Sequence, residues 1–486
     1  MALKRISTGI PNLDEILLGG LIANQAYMVK GPPGSGKTTL GLHFLSAGSP
    51  EETSLFISFS ESETRLRRNA QQIGIDLERI EFLDLSPSAD LFIQNQTYDV
   101  FSPAEVEQAP TTQKLIEAIS EIEPQRVFLD TITQFRFLVS DPFQFRQQIQ
   151  SFIRFAFERN ITLMFSSEES DDHPDDDLQF MSDGVINLSS MTQARKIEIS
   201  KFRGSNFSDG YHELQLSERG ITVFPSLIPE AHQRCVNLET ISSGIPEIDE
   251  MLHGGIERGT TTIICGPSGV GKSTFGAQFM KEAAGRGERS VLYTFEEGIE
   301  TLSMRCKGVN IPIDKMIEHG TLSLVKIEPL KYTPNQFAQL IRTEVEQNDA
   351  KIIAIDSTSG YKLSMQGEGL MIRQLHSLCQ YLKNMGVTVI LINETHSIAG
   401  SEFKVTEVGL SYLADNLIFL RYLELHGELH KAIGVLKKRV SSFERALREF
   451  KITRYGIKVG EPLTQLRGIL SGVPKWIDED KSKPVE

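Results

Sequence analysis

GPPGSGKTT at residues 31–39 and GPSGVGKST at residues 266–274 decide how this chain is read. Each fits G-x-x-x-x-G-K-[ST], with an apolar β-type run before it and a helix-compatible stretch after it. Glycines at these spacings let the backbone turn its N–H groups inward around phosphate oxygens, and the helix that follows adds its positive N-terminal end. In the first loop Gly31, Pro32, Pro33, Gly34, Ser35, Gly36, Lys37, Thr38 and Thr39 are expected to line the phosphates of ATP. In the second, Gly266, Pro267, Ser268, Gly269, Val270, Gly271, Lys272, Ser273 and Thr274 take those places. Lys37 and Lys272 should reach the outer phosphates, while Thr38 and Ser273 should ligate Mg²⁺.

The loops belong to a longer internal repeat. IleSerThrGlyIle at residues 6–10 returns as IleSerSerGlyIle at 241–245, and Asp14 with Gly19 and Gly20 returns as Asp249 with Gly254 and Gly255. A single period this long means duplicated domains, since a solenoid repeats every few tens of residues. The expected division is a first domain over 1–225, a connector over 226–237, a second domain over 238–474 and a short polar tail over 475–486. Apolar runs at 26–30, 55–59, 127–130 and 161–165 read as buried strands, and 262–265, 291–295, 352–356 and 387–392 match them in the second copy. Strands alternating with helices predict two α/β domains of RecA-like form, each with a mostly parallel central sheet.

Two of these runs end on acids, Asp130 and Asp356, placed to hold the water shell of the magnesium ion. The copies diverge at another strand end. There the second carries Glu296 and Glu297, while the first carries Ser60 and Glu61. A carboxylate at that tip could orient a water or take a proton from a hydroxyl attacking the γ-phosphate.

Composition limits the remaining choices. The chain has 486 residues, 40% hydrophobic and 23% charged, with formal net charge −14. That balance leans away from nucleic acid, which calls for clustered Lys and Arg. No uncharged apolar run is long enough to span a bilayer and no leader core opens the chain, so a cytoplasmic location is expected. Cys235, Cys265, Cys306 and Cys379 form no C-x-x-C pair. The acidic run at 171–177 reads as a solvated loop.

Taken together, the SerGlyIle…Asp…GlyGly entries, the two loops, PheGluGlu at 295–297, LysPheArgGly at 201–204, the stretch at 415–424 and LeuSerGlyValPro at 470–474 resemble the KaiC family of double-domain RecA-type ATPases. The resemblance covers almost the whole chain. It implies a two-tiered homohexamer with ATP between neighbouring subunits, slow hydrolysis in the first tier, and a circadian-clock type of signalling. In the second tier it implies serine/threonine autokinase activity toward the adjacent subunit, with Glu296 as base supported by Glu297. Lys201 and Arg203, with Lys437 and Arg439, match the family's K-x-R, whose cations reach a neighbour's nucleotide. The phosphorylated pair aligns with Ser411 and Tyr412, with Thr406 a further hydroxyl; a tyrosine at the second position departs from the family, and its phenol oxygen lies farther from the backbone. Ser60 is a second departure and leaves Glu61 alone in the first copy. Partners implied are KaiB-like or other signalling proteins, with no membrane and no nucleic acid. The tail after LeuSerGlyValPro is shorter than the segment by which the family binds its activator, a third departure from the family. Two other functions stay open: an ATP-gated scaffold without kinase activity, and a DNA-dependent ATPase of RecA type.

Overall fold

The computed structural model describes residues 3–86, 103–134, 142–168, 175–190, 195–234, 239–363, 368–395, 410–469 and 475–476. The chain separates into two compact units, Met1–Ser226 and Leu227–Glu486.

The first unit holds strands β1 (Ala26–Gly31), β2 (Ser54–Ser58), β3 (Ile80–Asp84), β4 (Arg126–Asp130), β5 (Thr162–Glu168), β6 (Gly184–Ser190), β7 (Arg195–Phe202), β8 (His212–Ser217) and β9 (Gly220–Phe224). They form one sheet in the order β9-β8-β7-β6-β1-β5-β4-β2-β3. From β6 to β3 every pairing is parallel, and β7, β8 and β9 add antiparallel strands at one edge. The second unit holds β10 (Thr261–Gly266), β11 (Ser290–Thr294), β12 (Leu322–Lys326), β13 (Ile352–Asp356), β14 (Thr388–Glu394), β15 (Asn416–Leu425), β16 (Glu428–Lys438), β17 (Arg448–Thr453) and β18 (Gly456–Pro462). Read from the antiparallel edge, its order is β18-β17-β16-β15-β10-β14-β13-β11-β12, the same topology strand for strand. Four parallel strands in each unit, β1, β2, β4 and β5 with their counterparts β10, β11, β13 and β14, match the runs expected from sequence to within three residues at either end. The parallel strands β3, β6, β12 and β15 and the antiparallel edge were not among the expected runs.

Near-continuous apolar runs are what a sheet covered on both faces requires. In β1 and β4, Tyr27, Val29 and Phe128 enter one core, while Met28, Val127 and Leu129 enter the other. The second sheet divides likewise: Ile264, Leu292 and Ala354 face one cluster, and Ile263, Val291 and Ile355 the opposite one. This two-sided burial fixes strand register, since a slip of one residue would exchange the two faces.

The repeated SerGlyIle…Asp motif proves to be structural. Asp14 accepts hydrogen bonds from the Thr8 N–H at 2.8 Å, the Thr8 hydroxyl at 2.6 Å and the Ser7 hydroxyl at 2.5 Å. Asp249 accepts from the Ser243 N–H at 2.8 Å and from the Ser242 hydroxyl. Of the acidic run, Asp175 is buried and accepts from the Ser167 hydroxyl, so that end of the run enters the fold and is not a solvated loop. The connector is also packed: Pro229 O accepts from Asn384 Nδ2 at 2.8 Å, and the Arg234 N–H donates to Asn384 O at 2.9 Å.

Candidate active site

β1 and β10 each run straight into their glycine loop, and the loop into a helix, Lys37–Ser46 or Lys272–Gly285. The residue that joins loop to helix must be glycine. Gly36 and Gly271 have φ of 105° and 115°, and a Cβ at Gly271 would lie 2.3 Å from Ile452 Cδ1. This turn aims the loop's N–H groups and the helix N-terminus at one point beyond the carboxyl ends of the parallel strands, where open α/β sheets place their ligands.

Lys37 and Lys272 are buried, and each ammonium rests on loop carbonyls. Lys37 Nζ donates to Gly31 O at 2.7 Å and Pro32 O at 3.2 Å; Lys272 Nζ donates to Pro267 O at 2.9 Å. Burial lowers both lysines below the usual value, opposed chiefly by Glu168 in the first site and Glu394 in the second. These two glutamates pair in register with Gly31 and Gly266, the first loop residues. Neither was singled out from sequence, because the apolar runs read there stop at 165 and 392, short of both glutamates.

The hydroxyl and aspartate read as magnesium ligands lie side by side in both units. Thr38 Oγ1 donates to Asp130 Oδ2 at 2.6 Å, and Ser166 Oγ donates to the other carboxylate oxygen. In the second site the Ser273 hydroxyl donates to Asp356, whose carboxyl is pushed upward by burial against the pull of that bond, Arg305 and Lys272. A hydroxyl and a carboxylate side by side are hard oxygen donors of the kind Mg²⁺ prefers, so the residues fit that ion.

At the diverging strand tip the two units differ in partners as well as residues. Glu296 Oε1 accepts from the Ser357 hydroxyl at 2.6 Å. Glu297 is held by Arg305, whose Nε and Nη2 lie 3.2 and 2.6 Å from its two oxygens. In the first unit Ser60 is exposed, and Glu61 has Arg65 Nε at 3.8 Å. Thr131, the counterpart of Ser357, turns its hydroxyl to Thr133 and to Ser166 O. The second site encloses about 430 Å³, lined by Lys272, Ser273, Glu296, Glu297, Arg305 and Asp356 among others.

A model of the KaiC ATPase family matches residues 6–228 and again 241–464. The chain belongs to the KaiC ATPase family. It is a KaiC-type, ATP-binding ATPase built as two repeats of one domain. Among its relatives, the circadian clock oscillator protein KaiC of Parasynechococcus marenigrum is 27% identical over 99% of this chain and 95% of its own length. The protein of the same name from Prochlorococcus marinus subsp. pastoris is 28% identical, over 100% of this chain and 96% of its own. The circadian clock protein KaiC3 of Synechocystis sp. is 26% identical over 98% and 95% respectively.

The remaining KaiC-like residues lie at the other end of the sheets. The Ala26 N–H, at the start of β1, donates to Asp183 Oδ2 at 3.1 Å, and the Arg203 N–H donates to Asp183 O at 2.8 Å. Likewise Thr261, the first residue of β10, donates to Asp415 Oδ2 at 3.1 Å, and the Arg439 N–H donates to Asp415 O at 3.0 Å. From Thr261 to Gly266 the strand covers about 16 Å at its usual rise. Lys201, Arg203, Lys437 and Arg439 therefore do not meet the glycine loop of their own unit. Lys201 Nζ donates instead to Gln179 O at 2.7 Å, and Arg203 lines a cavity of about 570 Å³ with Arg146, Phe157 and Phe180. Ser411 and Tyr412 share the corresponding end of the second unit. Ser411 O accepts from Lys437 Nζ at 3.0 Å and Tyr412 O from Arg439 Nη2 at 2.9 Å. Both residues are exposed, with Tyr412 stacked on His376 at a centroid distance of 6.0 Å. Thr406, LeuSerGlyValPro and Cys235 lie outside the described residues. Among the described residues no group of three or more His, Cys, Asp or Glu is placed to hold a metal, and no helix is long and apolar enough to cross a membrane.

Proposed function

We propose that the chain is a magnesium-dependent ATPase and serine/threonine autokinase whose second copy phosphorylates a neighbouring copy of itself within a two-tiered homohexamer. One observation carries the reading. The second unit holds its phosphate cradle and strand-tip carboxylate at one end of the sheet, and its candidate acceptors with their K-x-R cations at the opposite end. Transfer needs the hydroxyl within about 3–3.5 Å of the phosphorus, so acceptor and cradle must come from different chains.

Lys272 and the loop N–H groups hold the outer phosphates of ATP, and Glu296 takes the proton of the incoming hydroxyl. Magnesium, held by Ser273 and Asp356, would draw off charge from the phosphate oxygens. Lys437 and Arg439 of the neighbouring chain would neutralise charge that develops in transfer, which ties catalysis to assembly. Ser411 is the preferred acceptor over Tyr412 and Thr406, because a short hydroxyl on an exposed turn can be brought in line. In the first copy Lys37, Thr38, Asp130 and Glu61 bind MgATP, with Lys201 and Arg203 serving the neighbour. Lacking the paired glutamates, this site turns over slowly and chiefly supports assembly. A cytoplasmic oscillator or signalling role, read by KaiB-like proteins, is consistent with the relatives; the net charge of −14 speaks against a nucleic-acid motor.

Incubating the purified chain with MgATP and mapping phosphosites by mass spectrometry tests this reading. Phosphate on Ser411 supports it. No phosphate on any residue, with ATP consumed, would leave a double-ring ATPase without kinase activity.

A further inference from the structure

The cavity of the second unit is lined by a cation, Arg305, at a position where the first unit carries a neutral side chain. Phe59, Leu66 and Ala70 correspond to Phe295, Leu302 and Cys306, each pair 236 positions apart, and this register sets Arg305 opposite Asn69. Arg305 lies on the helix Ile299–Lys307, and each of its three guanidinium nitrogens donates one hydrogen bond. Two meet the carboxylate of Glu297, and Nη1 donates to Thr274 Oγ1 at 2.8 Å, on the first turn of the helix after the loop. Arg305 thereby ties the tip of β11 to the phosphate-binding helix. A two-pronged guanidinium–carboxylate contact is directional and charge-assisted, unlike the 3.8 Å approach of Arg65 to Glu61.

We propose that Arg305 is a positioning residue peculiar to the second site: it neutralises Glu297 against the incoming polyphosphate and leaves Glu296 as the carboxylate free to accept a proton. An unpaired Glu297 in this cavity would repel the phosphates, since Glu296, Asp356 and Glu394 already line it. Glu296 is bonded by a neutral hydroxyl, Ser357, which orients it and does not cancel its charge. The inference rests on the second site being the one that transfers phosphate.

The test is a binding cycle with the fluorescent nucleotide mant-ATP and magnesium, in the full-length chain carrying Lys37→Ala so that the second site reports. Arg305→Asn, which installs the residue of the first copy, should weaken binding about tenfold. Glu297→Gln alone should tighten binding a few-fold, because it releases a guanidinium beside the phosphates. Combining the two should return affinity to within about threefold of the parent, and Arg305→Lys should keep part of it. Thermal unfolding of Arg305→Asn checks that the unit still folds. A double variant as weak as Arg305→Asn, or a Glu297→Gln variant that binds worse, would overturn the assignment. Glu296→Gln is judged separately, by transfer rate, so failure of the base and failure of the Arg305 pairing give different patterns.

Discussion

At the tip of β2 the first unit presents Ser60 and Glu61, and at the tip of β11 the second presents Glu296 and Glu297, over cradles that are otherwise alike. Strand order, loop geometry, the buried lysine and the hydroxyl–aspartate pair are all held in common. What differs is the strand-tip carboxylate and the groups that orient it and its neighbour: Ser60 for Glu296, Thr131 for Ser357, Asn69 for Arg305. Both copies keep the phosphate loop, its lysine and the hydroxyl–aspartate pair, and among the side chains that set them apart are these three positions.

The sharpest way to break this comparison is to disable one cradle at a time. Lys272→Ala should reduce phosphoryl transfer to protein below detection. Lys37→Ala should leave transfer in preassembled rings and chiefly weaken MgATP-driven assembly, visible by light scattering. Loss of transfer in Lys37→Ala rings would reverse the assignment. Next in size, Glu296→Gln should slow transfer by about a hundred- to ten-thousandfold, as removal of a positioned base does. A rate within a few-fold of the parent would remove Glu296 from that role. Rebuilding the missing carboxylate, Ser60→Glu in a Lys272→Ala chain, should raise ATP hydrolysis at the first site about tenfold or more. An unchanged rate would mean that Thr131 and Asn69, and not Ser60, limit it.

The smallest effect concerns packing. A methyl at Gly41 would fall 2.3 Å from the Phe128 ring, whereas at Gly276 the nearest atom is the Ile392 Cδ1, 3.3 Å away. Alanine gains up to about 1 kcal/mol of helix propensity at either position, but overpacking a core ring costs about 1–3 kcal/mol. Gly41→Ala should therefore lower the unfolding midpoint, and Gly276→Ala should hold or slightly raise it. Equal shifts would show that Phe128 yields as readily as the Ile392 methyl.

Much of this was legible in the residues. The loops, the strand-end aspartates and four of the parallel strands in each unit follow from local pattern, because each depends on neighbours a few positions away. The partners that distinguish the sites do not. Ser357 lies 61 residues from Glu296 and Arg305 lies 31 from Thr274, so only the register of β11 against β13 and the packing of the Ile299–Lys307 helix bring them together. The place of the K-x-R cations was equally hidden. Their spacing is plain in the sequence, but only the pairing of Lys437 with Leu417, beside the start of β10, shows that they face away from their own nucleotide loop.

Mixing two disabled chains tests most directly whether cradle and acceptor act across subunits. One chain carries Ser411→Ala with an intact second cradle; the other carries Lys272→Ala with Ser411 kept. Neither should label itself with γ-phosphate from ATP, but the mixture, assembled together, should label Ser411 of the Lys272→Ala chain. A mixture as silent as its parts, while the parent chain labels Ser411, would contradict transfer between chains.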